Sequence, residues 1–580
     1  MKIIPELIVN HKGRREKVLT TILEELTSCS SFEISVAFIT QSGVASIIEV
    51  LKKLEQKGIK GRILSSTYLH FTQPNALESL LQFSNLEIKM DVANDFHSKS
   101  FLFAKSNSNY SLYIGSSNLT SSALTTNVEL NVGLQYLSEG NTFLKQYRSD
   151  FNEYWEGAVF VDQDFINRYS ELYNSSKEYR SKQKLEITEV SDTESPFYQR
   201  MRPNKMQRTA LTNLERLRAS GAIKALLISA TGTGKTFLSA FDVERVNPKR
   251  ILFVVHRRTI AQKSLDTFKQ LMPHRTMSLY SGTERGRGDF LFATIQTVAR
   301  DISEGVFNSN DFDYVIIDET HRAEANSYRS LLEFFKPDFL LGMTATPERT
   351  DGGDIFKLFD HNIAYEIRLH QALEEEMLAP FHYYGVTDLT VNGETIDDHS
   401  DFSKLVSDER VKHIVEKANF YRCDSGKVRG LMFCSRKAEA NELSARLLDY
   451  GLKAVALTGE SNEDERKKSI DQLEEGIIDY IITVDIFNEG IDIPLVNQVI
   501  MLRPTQSAII FVQQLGRGLR KAVGKEYLTV IDFIGNYSNS YLIPIALYGD
   551  TSFNKDSIRK LLVGGSQGLP GSCTIDFDEI

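Results

Sequence analysis

The amino-acid sequence predicts an α/β protein made of three successive α/β regions. Short apolar runs rich in β-branched and aromatic residues alternate with stretches whose apolar residues have helical spacing. The 580 residues are too many for one hydrophobic core. A polar, aperiodic stretch at 176–198 is interpreted as a linker. The expected organisation is a domain at 1–175, the linker at 176–198, an α/β region at 199–370, a connection at 371–400, an α/β region at 401–549, and at 550–580 a C-terminal tail or the start of a further domain.

The composition is that of a soluble globular protein, with 41% hydrophobic and 25% charged residues. No apolar run is long enough to span a bilayer, and the first residues lack the features of a signal peptide. The four cysteines lie far apart, which fits neither a zinc site nor a disulfide framework, so we expect reduced thiols and a cytoplasmic location. A net charge of −10 argues against a protein that coats nucleic acid, but it allows a local basic track.

Local periodicity predicts the elements of the first region. A buried strand is predicted at 32–40, and a helix at 42–57 because apolar residues recur there at helical spacing. Further strands are predicted at 62–66 and 86–91, with a helix near 77–83 between them. Strands and helices therefore alternate along this region, as in an α/β domain.

Five polar residues of the first region are candidates for a site. In a strictly alternating segment, His97 and Lys99 lie on one strand face, so an imidazole and an ammonium project together. The next strand runs into a Gly-Ser-Ser-Asn turn, in which Ser116 and Asn118 offer short polar groups. Glu129 lies on the polar face of a third strand. A single His-x-Lys pair is more often structural, but its combination with the turn and the carboxylate favours an active site.

The second region begins with a phosphate-binding signature. An apolar strand at 226–229 is followed by a glycine-rich loop and then by a helix from Phe237. Such a loop points backbone N–H groups at an anion, and the helix N-terminus adds its positive dipole end. Ser229 replaces the first glycine of the general pattern. The nucleotide-binding residues predicted in this loop are Thr231, Gly232, Thr233, Gly234, Lys235 and Thr236, with Lys235 on the β- and γ-phosphates and Thr236 on Mg²⁺.

A pair of carboxylates follows another apolar strand of the second region. The strand at 314–317 ends in Asp318 and Glu319. A carboxylate at the carboxyl end of a strand near the phosphate loop is well placed to hold Mg²⁺, and its neighbour can orient the attacking water. We therefore assign Asp318 to the metal and Glu319 to the water.

Residues 199–548 resemble a superfamily-two DEAD/DEAH-type helicase of the restriction-enzyme motor branch, because eight motifs occur in the expected order. The resemblance implies two tandem RecA-like α/β lobes. Thr320 departs from the family, which often has Ala or Cys there, and we expect this to matter little. In the first lobe, the segments 254–258 and 294–297 would contact the nucleic-acid strand, and 344–346 would couple ATP state to lobe movement. In the second lobe, 433–436 is the first motif, and 485–494 and 513–520 are the last two.

The same resemblance implies a nucleotide site shared by the two lobes, with ATP and Mg²⁺ as its cofactors. Gln207 would recognise adenine, and Gly490 and Asp492 would contact the nucleotide from the second lobe. Arg517 and Arg520 would be arginine fingers that stabilise charge on the γ-phosphate. Closure on ATP and opening on release would move the lobes along a strand. Polarity and strand separation stay open at this point.

The candidate residues of the first region resemble the His-x-Lys and Gly-Ser-x-Asn motifs of the phospholipase D superfamily, over roughly residues 25–160. The nearest branch is the nucleases of some restriction enzymes. The usual downstream aspartate is absent, and Ala104 lies near its place. The resemblance implies a metal-independent phosphodiesterase in which one histidine forms a covalent phosphohistidine and a second acts as acid and base. Because the chain has only one His-x-Lys centre, we expect a homodimer that brings two copies of His97 into one site.

Together the two centres predict an ATP-dependent DNA helicase or translocase coupled to a nuclease, in restriction or anti-phage defence. The absence of a membrane segment argues against a lipid substrate. Three alternatives stay open. The N-terminal domain could be a catalytically silent DNA-binding dimerisation module, the substrate could be RNA, or the enzyme could act in DNA repair.

Overall fold

The computed structural model describes most of the chain, and the predicted linker from residue 177 onward lies outside the described part. The predicted nucleotide residues Thr231, Gly490, Asp492 and Arg517 also lie outside it. The described residues are 4–11, 16–67, 70–93, 96–106, 108–176, 202–230, 232–320, 326–345, 355–391, 394–395, 405–484, 493–503, 518–534, 569 and 572–577.

The N-terminal domain is built on an eight-stranded mixed sheet. Its strands are β1 (Ile4–Val9), β2 (Ser31–Ser35), β3 (Lys60–Ser66), β4 (Leu86–Asp91), β5 (Ser100–Ala104), β6 (Asn109–Gly115), β7 (Leu130–Ser138) and β8 (Val159–Phe160). Its helices are α1 (Val18–Ser28), α2 (Gln41–Ala45), α3 (Ile48–Gln56), α4 (Pro74–Leu80), α5 (Ser121–Thr125), α6 (Thr142–Gly157) and α7 (163–176). The strand order is β1-β7-β6-β5-β2-β3-β4-β8. The carboxyl ends of the parallel strands β2, β3 and β4 therefore lie at the same edge as the start of antiparallel β5.

Some elements of this domain differ from the predictions. The strand predicted at 32–40 ends at Ser35, and the helix predicted to follow it is two helices, α2 and α3, separated at Ile47. Apolar residues keep helical spacing through that break, so periodicity does not reveal it. The strand expected to contain His97 begins only at Ser100, so the His-x-Lys pair lies in the segment that leads into β5.

The first motor lobe is an eight-stranded sheet that is parallel except for the edge strand β12. Its strands are β9 (Lys224–Ser229), β10 (Ile251–Val255), β11 (Met277–Ser281), β12 (Glu284–Arg285), β13 (Phe290–Thr294), β14 (Tyr314–Asp318), β15 (Phe339–Thr344) and β16 (Ile363–Ile367). Its helices are α8 (Lys205–Ala219), α9 (Lys235–Val246), α10 (Arg258–Leu271), α11 (Ile295–Ser303), α12 (Asn326–Phe334), α13 (Ile355–Leu358) and α14 (Leu369–Glu374). The strand order β12-β11-β13-β10-β14-β15-β9-β16 places β14, β15 and β9 side by side.

The second lobe is a seven-stranded parallel sheet in the order β21-β22-β20-β23-β24-β17-β25. Its strands are β17 (Phe381–Thr387), β20 (Gly430–Phe433), β21 (Ala454–Leu457), β22 (Tyr480–Thr483), β23 (Gln498–Met501), β24 (Leu528–Ile534) and β25 (Thr574–Phe577), and β18 (Thr390–Val391) and β19 (Glu394–Thr395) form a separate pair. Its helices are α15 (Asp408–Tyr421), α16 (Lys437–Leu447) and α17 (Glu463–Glu475), followed for α16 by a 3₁₀ turn at Leu448–Tyr450. The segments predicted as interlobe connection and C-terminal tail each contribute a strand to this sheet, β17 and β25.

These three α/β units confirm the predicted fold class. Their buried strands carry the core, with nearly continuous apolar runs in the two parallel sheets, as expected where both sheet faces are covered. All four cysteines are buried free thiols. Among the described residues, none of the helices combines the length and hydropathy needed to cross a membrane.

Candidate active sites

The phosphate loop follows β9 and leads directly into α9. Gly232 and Gly234 have φ of 89° and 88°, a left-handed conformation that glycine adopts without strain. The Thr233 hydroxyl lies inside the turn, where it donates to the Ala230 carbonyl at 2.7 Å. The described part of the loop thus has the tight turn predicted from the sequence.

Lys235 and Thr236 are the first two residues of α9, at the positive end of its dipole. The Lys235 ammonium donates to the Ser229 carbonyl at 2.8 Å, so it lies across the loop at the end of β9. The hydroxyl of Thr236 and the carboxylate of Asp318 are oxygen ligands of the kind that Mg²⁺ prefers.

Asp318 is the last residue of β14, two strands from β9 in the sheet order, at the edge where the phosphate loop begins. Burial is the first cause that raises its pKa, and the neighbouring charge of Glu319 is the second, while Lys235 opposes both. Glu319 has a φ of 56°, a left-handed conformation that strains a residue with a side chain. Two carboxylates held together at a buried strand end fit a divalent cation, which would supply the positive charge that neutralises phosphate oxygens.

Thr320 has a structural contact that the sequence did not predict. Its side chain is fully buried, and its hydroxyl donates to the Met343 carbonyl of β15 at 3.1 Å. The bond ties the carboxylate pair to the strand that ends in Thr344, where the predicted coupling motif begins. The departure from the family therefore adds a contact between two motifs.

A cavity of about 900 Å³ lies between the two lobes at the phosphate loop. Gly232, Thr233 and Gly234 line it from the first lobe, and Arg520 lines it from the second. Gln207 also lines it, and its amide donates to the Gly234 carbonyl at 3.3 Å. The structure thus brings Gln207, three residues of the loop and Arg520 to one cavity, while their individual roles stay predictions. The described residues that line this cavity do not include Lys235, Thr236, Asp318 or Glu319.

The N-terminal candidates meet at the start of β5 and the end of β6. The Lys99 ammonium lies 3.0 Å from Nδ1 of His97 and donates to the His97 carbonyl at 2.9 Å. Partial burial lowers the pKa of Lys99, and the negative charge of nearby Glu129 opposes that shift. His97 itself is exposed, so its imidazole is accessible from solvent.

Ser116 and Glu129 are joined by a hydrogen bond in which the hydroxyl donates to the carboxylate. The Ser116 hydroxyl oxygen also accepts from the backbone N–H of Leu130 at 3.0 Å. Asn118 is buried, and its side-chain oxygen accepts from the backbone N–H of Phe38 at 3.3 Å. The structure therefore groups His97, Lys99, Ser116 and Glu129 closely and places Asn118 beside them.

Asn131 is a residue of this site that the sequence analysis missed. It is buried, and its amide donates to the Ser117 hydroxyl at 2.9 Å while its oxygen accepts from the Ser117 backbone N–H at 3.3 Å. A Cβ at Gly115 would lie 2.4 Å from the Asn131 oxygen, so glycine is required where the turn begins. The alternation of polar residues in β7 was the only sequence signal for Asn131, and it did not show that Asn131 would bond to Ser117.

Three family models match separate parts of the chain. Residues 22–155 match the family described as "Cardiolipin synthase, PLD-like domain". Residues 200–349 match "Type III restriction enzyme, res subunit", and residues 411–522 match "Helicase conserved C-terminal domain". The three matches confirm the phospholipase D-like and helicase resemblances in the predicted order.

Individual relatives include proteins named as helicases or as restriction-enzyme subunits. The protein IRC3 of Saccharomyces cerevisiae, which carries the name of an ATP-dependent helicase, is 27% identical over 360 residues, covering 57% of this chain and 52% of its own. The type I restriction enzyme EcoAI endonuclease subunit of Escherichia coli is 25% identical over 375 residues, covering 57% and 46%. Among solved structures, a fragment named as an HsdR subunit of a type I restriction enzyme from Vibrio vulnificus is 26% identical, covers 58% of this chain and 65% of that one, and has a TM-score of 0.46.

The chain thus spans about half the length of these two curated relatives. The family match at 22–155 does not overlap the two helicase matches at 200–349 and 411–522. The chain therefore contains an N-terminal phospholipase D-like domain followed by two helicase domains, the first of which matches a restriction-enzyme subunit family.

Proposed function

We propose that the chain is an ATP-dependent DNA translocase whose N-terminal domain cleaves phosphodiester bonds without a metal ion, as a homodimer. The observation that carries the proposal is the cluster of His97, Lys99, Ser116 and Glu129 in a domain fused to a helicase motor. Each centre acts on a phosphorus–oxygen bond, and the motor selects nucleic acid over lipid as the shared substrate.

In the motor, the first lobe would bind the phosphates and the second would complete the site. Lys235 would exchange its bond to the Ser229 carbonyl for bonds to phosphate oxygens. Asp318 and Thr236 would hold Mg²⁺, and Glu319 would orient the attacking water. Arg520 lines the cavity from the second lobe, which supports its role as an arginine finger.

In the N-terminal site, one imidazole would attack phosphorus while the second protonates the leaving oxygen. Lys99 would stabilise the negative charge that develops on the phosphoryl oxygens, and Asn118 would add a hydrogen bond. Water activated by the second imidazole would then release the phosphohistidine. Glu129 holds Ser116 and acts on Lys99 through its charge, so it would keep the site in one geometry.

The homodimer is supported by an apolar patch beside His97. Leu7, Ile114 and Val132 are cross-strand neighbours on β1, β6 and β7, and their exposed fractions are 62%, 38% and 47%. Leu130 continues the patch with 62% exposed. Ile114 is paired with Ser100, the first residue after the His-x-Lys segment, so the patch and the imidazole adjoin. A two-fold axis there would cover the patch and supply the second histidine.

Restriction or anti-phage defence is the proposed biological role. It is supported by the match of residues 200–349 to a restriction-enzyme subunit family and by the similarity to the EcoAI subunit. DNA is the proposed substrate for the same reason.

Cleavage of DNA and of RNA by the purified chain, with and without ATP and EDTA, tests the proposal. Cleavage should survive EDTA, whereas ATP hydrolysis should not. His97→Ala should lose cleavage and keep ATP hydrolysis, and Lys235→Ala should lose ATP hydrolysis. Cleavage that persists in His97→Ala would contradict the nuclease assignment and favour a silent binding module. Faster cleavage of RNA than of DNA would show that RNA, not DNA, is the substrate.

Val132→Lys tests the dimer, because it places a charge in the centre of the apolar patch. We expect a monomer by light scattering, loss of cleavage and retained ATP hydrolysis. Ser138→Lys, at the exposed end of the same strand, is the matched control. A wild-type chain that is a strict monomer and still cleaves DNA would refute the two-histidine site.

A further inference from the structure

The N-terminal domain packs on the second lobe through buried contacts. The Tyr384 hydroxyl of β17 donates to the Ala45 carbonyl at 3.0 Å, and the Tyr421 hydroxyl of α15 donates to Glu49 of α3 at 2.7 Å. The rings of the two tyrosines stack with centroids 4.0 Å apart, and Glu49 is only 4% exposed. A junction this well buried makes the N-terminal domain move with the second lobe.

A cavity of about 630 Å³ lies at this junction, and we call it the junction cavity. Its N-terminal wall contains Asn118, Glu129 and Thr126, so two of the predicted catalytic residues face it. Its motor wall contains Glu376 and Lys521. The junction cavity therefore connects the N-terminal site with the motor.

Glu376 and Lys521 also line the nucleotide cavity. Lys521 directly follows Arg520, which lines the nucleotide cavity from the second lobe. Two side chains thus form a wall common to both cavities. A change in the nucleotide cavity that moves either residue must also change the junction cavity.

Glu376 lies in the segment that joins α14 of the first lobe to β17 of the second. Its φ of 52° is a left-handed conformation that strains a residue with a side chain. Ala379, three residues later, donates from its backbone to the Leu519 carbonyl at 2.7 Å, immediately before Arg520. Movement between the lobes must be absorbed in this short segment, so Glu376 is placed at the hinge.

We propose that closure of the lobes on a nucleotide reshapes the junction cavity through Glu376 and Lys521, and so switches the N-terminal site between two states. Lys521 and the N-terminal residues of the cavity move with the second lobe, whereas Glu376 moves with the hinge, so closure shifts Glu376 against the other walls of the junction cavity. The hinge segment around Glu376 therefore couples the two cavities, because its position affects the shape of each. The cleavage consequence of this coupling rests on the proposed function, but the conformational coupling does not.

Hydrogen exchange of the full chain, with and without a non-hydrolysable ATP analogue and Mg²⁺, tests the coupling. The amides of 229–238 should become protected on binding. The amides of 116–130 should change their exchange rates by about 5-fold or more, the lower end of typical allosteric coupling. Lys235→Ala should lose both responses. Protection of 229–238 with no change at 116–130 would overturn the proposal.

Thr126→Tyr interrupts the coupling from the N-terminal wall, because a tyrosine ring would occupy part of the junction cavity next to Glu129. Thr126 is exposed and does not line the nucleotide cavity, so ATP hydrolysis should be unchanged. We expect the nucleotide response at 116–130 to disappear. Thr142→Tyr, the same substitution at an exposed site on α6, should respond like wild type. A normal response in Thr126→Tyr would count against the cavity as the route.

Lys521→Ala repeats the test from the motor wall. Because Lys521 also lines the nucleotide cavity, the variant and wild type are compared at analogue concentrations that fully protect 229–238 in each, and at that matched occupancy the response at 116–130 should be lost. Retention of both responses would contradict the shared wall. Absence of cleavage in every sample would refute the nuclease alone, because the exchange experiment measures the coupling without it.

Discussion

A fully buried ion network in the second lobe permits a prediction whose magnitude follows from the structure. Arg410 of α15 is 1% exposed and forms ion pairs with Asp388 at 2.9 Å and with Glu439 at 3.1 Å. The guanidinium also donates to the Leu405 carbonyl at 3.0 Å. Glu439 in turn accepts from the backbone N–H of Ser435 at 3.2 Å, within the motif that opens this lobe.

Arg410→Met removes the cation and leaves two carboxylates buried without it. We expect the free energy of unfolding of the second lobe to fall by about 3–5 kcal/mol, the range for deletion of one partner of a buried ion pair. Because a chain of several domains does not unfold in one step, native-state hydrogen exchange of the β20 amides is the suitable assay. The variant should also slow ATP hydrolysis, since Glu439 would no longer hold Ser435.

Arg446→Met is the matched control, because Arg446 pairs with Glu442 at 2.8 Å and with Asp408 where all three side chains remain in contact with solvent. An exposed pair contributes little to stability, so its removal should leave the exchange of β20 unchanged. If both substitutions speed the exchange of the β20 amides equally, the reasoning is refuted, because burial of the ion pair would then not determine the loss of stability.

Three further predictions concern other sites. Thr320→Val should slow ATP hydrolysis while nucleotide binding persists, because the hydroxyl that donates to the Met343 carbonyl is lost. Thr320→Ser keeps that hydroxyl, so its rate of ATP hydrolysis should be close to wild type. Burial raises the pKa of Asp532 to about 7, so the stability of the second lobe should fall as pH rises from about 4 to about 7, by at most about 4 kcal/mol. Asp532→Asn should reduce this pH dependence when the opening free energy of the β24 amides is measured by native-state hydrogen exchange. Asn131→Ala should lower cleavage roughly 10- to 100-fold and spare ATP hydrolysis, because the turn that holds Ser117 loosens.

The nucleotide site was largely predictable because its chemistry is local. A strand, a glycine-rich turn and a helix place Lys235 by chain geometry alone, and the structure shows that sequence of elements. Asp318 was predictable for the same reason, since the carboxyl ends of neighbouring parallel strands meet at one edge. The contact of Thr320 with the next strand was not, because a single hydroxyl has no periodic signal.

Contacts between distant segments were outside the reach of sequence patterns. Alternation over 129–132 separated Glu129 and Asn131 from Leu130 and Val132, but it did not show which face is buried. Glu129, predicted on a strand, lies immediately before β7, which begins at Leu130. In the structure the polar face is buried at the site and the apolar face is exposed, with Glu129 at 9% and Leu130 at 62%. Alternating strands normally bury their apolar face. A strand that buries its polar face and exposes its apolar face is expected only where function or a partner determines the surface.

The packing of the N-terminal domain determines how its activity must be measured. The Thr125 hydroxyl lies 2.6 Å from that of Ser572, which precedes β25, and Lys17 donates to the Leu569 carbonyl at 2.9 Å. The C-terminal segment therefore contacts the N-terminal domain as well as pairing with β17. An isolated N-terminal domain would lose these contacts and expose Glu49, which is buried in the full chain. Cleavage by such a fragment would report a site without its motor wall, so only the full chain can show whether nucleotide controls it.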